Sequence, residues 1–231
     1  MNQMRLIFVV GVGRSGTSLL QSMLASHPDL IAMPETGIVR RLLFDRGLAW
    51  RNLDQTELER LRSTDERLRR IPETTWRAAI QRCQSSGERA ATETTGLDFY
   101  QCLVAEYANH GANGTPLGEQ SGVPRRSQPA RQFLVVDKDP RLVEYLSMLL
   151  AVFPEAETVH IVRDPRDVLV SKQKAEWSRH RPWWLNLTVG SAQLALADGV
   201  SADQRKWHVN VLRYEDLVTR PDDTLRKLCR E

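Results

Sequence analysis

The stretch VVGVGRSGTSLL, from Val9 to Leu20, decides which fold the chain adopts. The apolar run Leu6–Val10 is ended by glycines, which predicts a strand that is buried on both faces. The segment Thr17–Ala25 has the pattern of a helix, and SHPD closes it at Pro28. A strand, a glycine-containing loop and a helix in this order are the context of a phosphate-binding loop.

The loop lacks the lysine of the Walker A pattern G-x-x-x-x-G-K-[ST]. Gly11 and Gly16 occupy the glycine positions, but Thr17 stands at the lysine position and Ser18 follows it. Backbone N–H groups from Gly13 to Ser18, at the start of a helix, favour an anion. Positive charge must then come from elsewhere, and Arg14 within the loop and Lys138 after a later strand are the candidates.

Composition bounds the kind of protein. The 231 residues are 41% hydrophobic and 26% charged, with a net charge of +3; the mean hydropathy is −0.41 and the pI about 8.9. This length suits one globular domain, and the weak basic balance argues against a nucleic-acid partner. The chain contains no apolar run long enough for a transmembrane segment, and its N-terminal run predicts a buried strand rather than a signal peptide. We therefore expect a soluble, cytoplasmic protein.

The cysteines and histidines suggest neither a disulfide framework nor a metal site. Cys83, Cys102 and Cys229 are widely spaced and odd in number, so we expect reduced packing residues. None of the five histidines has metal-ligand spacing. We expect no metal.

The second half of the chain alternates strands and helices. FLVVDKDP (Phe133–Pro140) predicts a buried strand ending in charge, and RLVEYLSMLLAVFP a helix with Asp139 as N-cap and Pro140 in its first turn. TVHIVRDPRD predicts a strand, PRDVLVSKQKAEW the start of a helix, and VNVLRYEDL a fourth strand. The alternation predicts an α/β protein with a three-layer P-loop-type fold, in which helices flank a central parallel sheet. Ligands bind such sheets at the carboxyl ends of the strands.

The middle of the chain carries weaker signals. LDQTELERLRSTDERLRR predicts a helix, and a solvated face with intrahelical ion pairs is favoured over a phosphate-facing patch. Gly111–Arg131 is rich in glycine, proline and polar residues, which predicts a long, flexible surface loop over about 109–131.

The motif VRDPRDVLVS suggests a second anion site. Arg163 ends a predicted strand, and Ser171 lies eight residues later in the following helix. An arginine fork with a hydroxyl suits a terminal phosphate monoester. The alternative is that Arg163 forms structural ion pairs with Asp164 or Asp167.

Together these motifs resemble the sulfotransferases that use 3′-phosphoadenosine 5′-phosphosulfate (PAPS), and among them the tyrosylprotein sulfotransferase branch. The resemblance covers FVVGVGRSGTSLLQSMLASHPDLIAMPET, DKDPRLVEYLSMLLAVFPEAETVHIVRDPRDVLVS and VLRYEDLVTRP, in the family's order. These segments make up less than half of the chain, and about 40–131 is not aligned by them.

The resemblance implies roles for individual residues. Loop residues would grip the 5′-phosphosulfate: Arg14, Ser15, Gly16, Thr17 and Ser18. Arg163 and Ser171 would hold the 3′-phosphate, with Tyr214 near the nucleotide. Glu35 would be the general base, with Arg14 and Lys138 beside the transferring group. PAPS would be the donor, without metal, and a hydroxyl-bearing peptide or small molecule the acceptor.

Several alternatives remain at this point. Glu35 could cap a helix starting near Thr36, and Lys138 could pair with Asp137 or Asp139. Trp183 and Trp184 could line an acceptor cleft or be buried. Ala175 stands where the tyrosylprotein branch has a further arginine, with Lys172 and Lys174 nearby.

The family's usual closing segment has no counterpart after TLRKLCRE, where the chain stops within a helical pattern. We therefore expect one sulfotransferase domain over 1–231 that is either truncated at its C-terminus or closed differently. The oligomeric state is not predicted.

Two other functions compete with sulfuryl transfer. LVVD resembles a Walker B strand, so a P-loop kinase or NTPase could use Asp137 to hold magnesium. However, Thr17 replaces the lysine that such enzymes use, and Arg163 with Ser171 would have no role. A non-catalytic nucleotide-binding module is the other alternative.

Overall fold

The structure is a computed structural model that describes residues 6–85, 94–112, 134–201 and 209–229. The strands in these ranges are β1 Leu6–Val10, β2 Leu30–Ala32, β3 Asn52–Leu53, β4 Thr94–Thr95, β5 Leu134–Lys138, β6 Glu157–Val162 and β7 Val209–Arg213. The α-helices are α1 Thr17–Ala25, α2 Gln55–Thr64, α3 Glu73–Ser85, α4 Gly96–Ala112, α5 Leu146–Val152, α6 Pro165–Lys174, α7 Trp183–Ser201, α8 Tyr214–Thr219 and α9 Pro221–Leu228. Shorter helical pieces are a π-helical segment, Val39–Phe44, and two 3₁₀ turns, Leu68–Arg70 and Pro140–Tyr145.

The chain divides into two compact units. Unit 1 contains Leu24–Asp137, and unit 2 contains Leu6–Met23 and Lys138–Glu231. In unit 2, β6 pairs in parallel with β1 on one side and β7 on the other. In unit 1, β2 and β5 pair in parallel, and β3 and β4 form a short antiparallel ladder. The predicted α/β fold with parallel strands and flanking helices is confirmed.

The strands of unit 2 are stabilised by burial of their apolar side chains in its core. Phe8, Val9 and Val10 of β1 are fully buried, as expected for a strand covered on both faces. The ring of Phe8 packs 5.1 Å from that of Phe153, a separation at which aromatic pairs attract.

Local sequence signals set the helix starts that lead to the site. The predicted α1 is observed with the expected bounds. Asp139 caps the next helical segment, since its side chain accepts a hydrogen bond from the Arg141 N–H and Pro140 follows it. That segment begins as a 3₁₀ turn and becomes α5 only at Leu146. Asp164 caps α6 by accepting from the Arg166 N–H, with Pro165 in the first turn.

The predicted strand VNVLRYEDL is too long. β7 ends at Arg213, and Tyr214 begins α8. Tyr214 and Leu217 are compatible with either a strand or a helix. Glu215 and Asp216 lie in the first turn of α8, where their carboxylates interact favourably with the helix dipole. These residues are therefore more stable at the start of a helix than as a continuation of β7.

The expectation of reduced cysteines is wrong for two of the three. Cys83 of α3 and Cys102 of α4 form a disulfide, with Cα atoms 6.0 Å apart. α3 and α4 pack against each other in unit 1, and this tertiary contact brings together cysteines that are 19 residues apart. Cys229 is free and exposed.

The middle of the chain differs from its prediction in detail. α2 covers only Gln55–Thr64, starting at a capping box between Asp54 and Glu57. Two ion pairs of this stretch reach other segments of the described chain: Arg62 lies 4.0 Å from Glu73 of α3, and Asp65 accepts from Arg41 at 2.8 Å.

The predicted loop at 109–131 begins too early, because α4 continues to Ala112. The rest of that prediction lies outside the described residues. In the described ranges, no helix combines the length and the apolar character needed to cross a membrane.

Candidate functional site

The loop between β1 and α1 has a backbone that few residues tolerate. Gly16 has φ +106° and Arg14 has φ +78°, a region that L side chains rarely adopt. The Ser15 N–H donates to the Val12 carbonyl at 2.9 Å, and the Gly11 N–H to the Pro140 carbonyl at 3.3 Å. This turn leads directly into α1, whose N-terminal N–H groups carry positive partial charge.

Close packing makes two of the loop glycines necessary. A Cβ on Gly16 would overlap the ring of Tyr214, and one on Gly11 would lie 2.5 Å from the Ile161 carbonyl oxygen. Gly13 has no atom within 4 Å of its Cβ position. The loop is thus held tightly at its two ends, against β6 and the start of α8.

Two arginines connect the loop to β6 and α6. The Arg14 Nε donates to the Ser171 Oγ at 3.1 Å. The Arg163 Nη1 donates to the Arg14 carbonyl at 3.3 Å, and the Arg163 guanidinium stacks 4.2 Å from the centre of the Tyr214 ring. Four residues that the sequence singled out, Arg14, Arg163, Ser171 and Tyr214, therefore lie together in unit 2.

The guanidinium of Arg163 retains hydrogen-bonding capacity. Its Nε is buried and has no hydrogen-bond partner among the described residues. Its Nη2 lies 3.9 Å from Asp167, and Asp164 instead pairs with Arg166. A buried donor without an acceptor is costly. An anionic group on Arg163 would remove that cost, so the residues fit a phosphate monoester.

Ser15, inside the loop, also has a buried polar atom that an anionic ligand could satisfy. Its side chain is 1% exposed, and its Oγ has no hydrogen-bond partner in the described part of the chain. A hydroxyl can donate to or accept from a ligand oxygen.

Lys138 supplies a buried cation at the end of β5. It is 3% exposed, and its Nζ donates to the Ser18 Oγ at 3.1 Å. A lysine is rarely buried unless paired. The contact ties Lys138 to the first turn of α1, where the sequence required a substitute for the Walker lysine.

Glu35 lies in unit 1, between β2 and the π-helical segment. Its carbonyl accepts from the Arg70 Nη1 at 3.3 Å. The π-helical segment has Ile38 at its N-cap position, so the alternative in which Glu35 caps a helix near Thr36 is wrong.

Asp137, the candidate Walker B aspartate, is already engaged. Its Oδ2 accepts from the Tyr100 hydroxyl at 2.7 Å, in a buried setting within unit 1. Burial raises the pKa of Tyr100, and the Asp137 carboxylate raises it further.

Two contacts beside Arg163 were not anticipated. The Asp164 N–H donates to the Glu215 Oε1 at 2.9 Å, which fixes the turn after β6 from the start of α8. Hydrogen bonds from Arg166 lower the pKa of Asp164 to about 2. Sequence reasoning missed Glu215 because its role depends on a tertiary hydrogen bond that no local pattern indicates.

Lys172, one of the two lysines near Ala175, is buried in unit 2. It is 5% exposed, and its Nζ lies 3.6 Å from the Cβ position of Gly190 in α7. Burial lowers its pKa, and the nearby Arg181 lowers it further. Ala175 is the C-cap of α6 and offers no charge. Among the described residues, no cluster of three or more His, Cys, Asp or Glu could hold a metal ion.

Comparison with known proteins gives one family. The model of a family described as the sulfotransferase family matches residues 6–231. Nodulation protein NoeE of Sinorhizobium fredii (strain NBRC 101917 / NGR234) is 25% identical over 241 residues, covering 96% of this chain and 48% of the relative. A protein-tyrosine sulfotransferase of Drosophila melanogaster is 25% identical over 235 residues, covering 99% and 38%. The chain thus spans about half the length, or less, of these relatives.

Solved structures share the fold. The sulfotransferase domain from the curacin biosynthetic pathway aligns with a TM-score of 0.56 at 20% identity, covering 100% of this chain and 74% of that one. The sulfotransferase domain from the Synechococcus PCC 7002 olefin synthase aligns with a TM-score of 0.54 at 23% identity, covering 98% and 72%.

Proposed function

The chain belongs to the sulfotransferase family, and on that premise we propose that it moves a sulfuryl group from PAPS to an acceptor hydroxyl. The observation that carries the proposal is the environment of Arg163. Its guanidinium contacts the loop and the Tyr214 ring, yet its buried Nε has no acceptor in the described residues.

The donor would be held by two groups of residues. Loop residues would hold the 5′-phosphosulfate: Arg14, Ser15, Gly16, Thr17 and Ser18. Arg163 and Ser171 would hold the 3′-phosphate, with Tyr214 beside the nucleotide. The contacts among Arg14, Arg163, Ser171 and Tyr214 support this assignment.

The charges of the site suit sulfuryl rather than phosphoryl transfer. PAPS supplies an activated sulfuryl group, which carries less negative charge than a phosphoryl group. Arg14, Lys138 and the loop N–H groups would stabilise that charge without a divalent metal.

Glu35 is the proposed general base. It would accept the proton of the acceptor hydroxyl, because a neutral alcohol or phenol is a weak nucleophile. This role rests on the MPET resemblance, and the Arg70 contact to its carbonyl supports only an ordered backbone at that position.

The proposed acceptor is any molecule that carries a suitable hydroxyl group. The resemblance and the protein-tyrosine sulfotransferases among the relatives favour a tyrosine hydroxyl in a peptide. A small alcohol, a phenol, a lipid or a glycan also carries the required hydroxyl. Product mass spectrometry after incubation with labelled donor and a mixed acceptor panel separates these classes.

Nucleotide binding distinguishes the proposal from a P-loop kinase or NTPase. We expect adenosine 3′,5′-bisphosphate in chelator to raise the unfolding temperature, since a ligand that binds only the folded state stabilises it. ATP with magnesium should not. The opposite ranking would favour the kinase, although the hydrogen bond from Tyr100 already occupies one oxygen of Asp137.

A second experiment distinguishes an enzyme from a non-catalytic binding module. Glu35→Gln should abolish sulfuryl transfer while binding of adenosine 3′,5′-bisphosphate is retained. Glu66→Gln, at an exposed glutamate of the same unit, is the matched control and should keep full activity. Absence of transfer by the unmodified protein to every acceptor would support the module.

A further inference from the structure

An exposed group of tryptophans lies in unit 2, in the segment between α6 and α7 and in the first turn of α7. Trp177 is 58% exposed, Trp183 56% and Trp184 57%. The alternative in which Trp183 and Trp184 are buried is therefore wrong. Tryptophan is usually largely buried, so three exposed rings within eight residues mark an interaction surface. We call residues 174–187 the tryptophan segment.

The tryptophan segment is held in this conformation by its own contacts. Ser178 is buried, and its hydroxyl donates to the Lys172 carbonyl. The Arg179 N–H donates to the Ala175 carbonyl at 2.8 Å, and the Ser178 N–H to the same oxygen at 3.0 Å. The turn thus buries Ser178 and leaves its neighbours Trp177 and Arg179 at the surface. The turn therefore accounts for the exposure of Trp177, whereas Trp183 and Trp184 are exposed at the start of α7.

The apolar surface continues onto α7. Trp183 and Leu187 are four residues apart, and Trp184 and Leu187 three apart, so they share one helix face. Leu187 is 37% exposed. This face therefore presents two indole rings and a leucine.

The charges of the tryptophan segment are mainly positive. Lys174, Arg179 and Arg181 are exposed, and the segment contains a single acidic residue, Glu176. Glu176 lies 4.0 Å from Arg179, and both side chains are largely exposed, so this pair neutralises little charge.

This combination fits an anionic bilayer surface better than the other occupants. Indole rings favour the headgroup region of a bilayer because they have an apolar body and one polar N–H. Arginines near the surface are attracted to anionic lipids. A second copy of this chain would bring the same mainly positive segment to the interface, and like charges oppose such an association.

We propose that the tryptophan segment binds the headgroup region of membranes that contain anionic lipids. Trp177, Trp183, Trp184 and Leu187 enter the interface, and Arg179 and Arg181 contact lipid phosphates. The binding is peripheral and is a separate property from the proposed sulfuryl transfer. The segment nevertheless borders the proposed donor residues, since it follows Ser171 on α6 and Leu187 lines a small cavity with Val12.

The test is co-sedimentation of the full chain with vesicles of phosphatidylglycerol and phosphatidylcholine, compared with vesicles of phosphatidylcholine alone. We expect binding to the mixed vesicles, weakened by salt, with a blue shift of tryptophan fluorescence. Arg179→Gln with Arg181→Gln should weaken binding roughly 25-fold, taking about a factor of five per basic residue. Trp183→Ser with Trp184→Ser should weaken vesicle binding at least ten-fold. Each substitution removes an indole ring of which the exposed part, about half, would be buried in the bilayer.

Trp50→Ser is the matched control. Trp50 is 65% exposed but lies in unit 1, so this variant should bind vesicles like the unmodified chain. Unchanged unfolding temperatures and unchanged binding of adenosine 3′,5′-bisphosphate would show that the segment variants are folded. Absence of binding by the unmodified chain, or equal weakening by all three variants, would overturn the proposal. Binding of an acidic protein or of single-stranded nucleic acid with the same dependence on the tryptophans, but not of vesicles, would also overturn it.

Discussion

At the scale of single residues, the affinity of the proposed donor site depends most on Arg163. Its Nε is buried without a partner in the described ranges, and its Nη1 donates to the loop. We predict that Arg163→Gln weakens binding of adenosine 3′,5′-bisphosphate about 10- to 100-fold, because charge-assisted hydrogen bonds contribute about 1.5–3 kcal/mol. Isothermal titration calorimetry measures this.

The control for Arg163 is three residues away. Arg166 is 88% exposed and pairs with Asp164, so Arg166→Gln should leave the affinity unchanged. Adenosine 5′-phosphate, which lacks the 3′-phosphate, should bind both variants equally. If Arg163→Gln weakened both nucleotides to the same degree, Arg163 would not be the 3′-phosphate ligand.

Gly16 should tolerate substitution far less than Gly13. An alanine at Gly16 would adopt an unfavourable φ of +106° and overlap the Tyr214 ring. We expect Gly16→Ala to lower the free energy of unfolding by about 1–3 kcal/mol and to abolish nucleotide binding. Gly13→Ala meets no atom within 4 Å and should be close to neutral. Equal unfolding midpoints in urea for the two variants would contradict this account of the loop.

His160 should make stability depend on pH. It is fully buried in β6, and neither ring nitrogen has a hydrogen-bond partner in the described structure. Burial lowers its pKa from the usual 6.5, with the Asp198 carboxylate acting in the opposite direction. The unfolded chain therefore binds a proton that the folded chain does not, so stability falls as the pH falls below 6.5.

The measurement is the free energy of unfolding between pH 7.5 and 5. His160 contributes a slope of up to about 1.4 kcal/mol per pH unit. His160→Leu should remove this slope, whereas His27→Gln, at an exposed histidine, should keep it. A slope that persists in His160→Leu would assign the effect to other groups.

At the scale of elements, the disulfide between α3 and α4 is the clearest departure from expectation. Thiol titration of the unreduced chain in denaturant should find one reactive thiol, Cys229, and not three. Cys83→Ser should lower the free energy of unfolding by about 3 kcal/mol, the value for a closed loop of this size. Cys229→Ser should be neutral. Three reactive thiols would contradict the disulfide.

The same disulfide bears on where the protein is found. Disulfides persist mainly in oxidising compartments, whereas the sequence predicts a cytoplasmic protein. The cytoplasmic location therefore stays a prediction.

Elements with a strong local signal could be predicted from the sequence. β1 and α1 have the expected bounds because an apolar run, glycines and a helical pattern follow one another. The boundary between β7 and α8 was missed because Tyr214 and Leu217 suit both a strand and a helix. The disulfide was missed, and the exposure of Trp183 and Trp184 was left open, because both depend on which helices pack together.

The site shows the same division. Arg14, Arg163, Ser171 and Tyr214 follow strand ends or helix starts that the alternation of elements locates, so their proximity could be anticipated. The role of Glu215 in fixing the Asp164 backbone could not, because it depends on a single tertiary hydrogen bond. Glu35 as general base stays a prediction.

At the scale of the whole molecule, family membership and the charges around the loop support one proposal: the site would bind a nucleotide with a 3′-phosphate and would need no metal. It follows that sulfuryl transfer should proceed in chelator at an unchanged rate. A rate that requires magnesium would show that the cations of the chain are insufficient.

The most direct measurement is a crystal structure of the protein soaked with both adenosine 3′,5′-bisphosphate and magnesium ATP. The account predicts density for the bisphosphate, with its 3′-phosphate within hydrogen-bond distance of Arg163 and Ser171. Magnesium triphosphate bound against Gly16 and Thr17, with Arg163 turned away from any ligand, would contradict it.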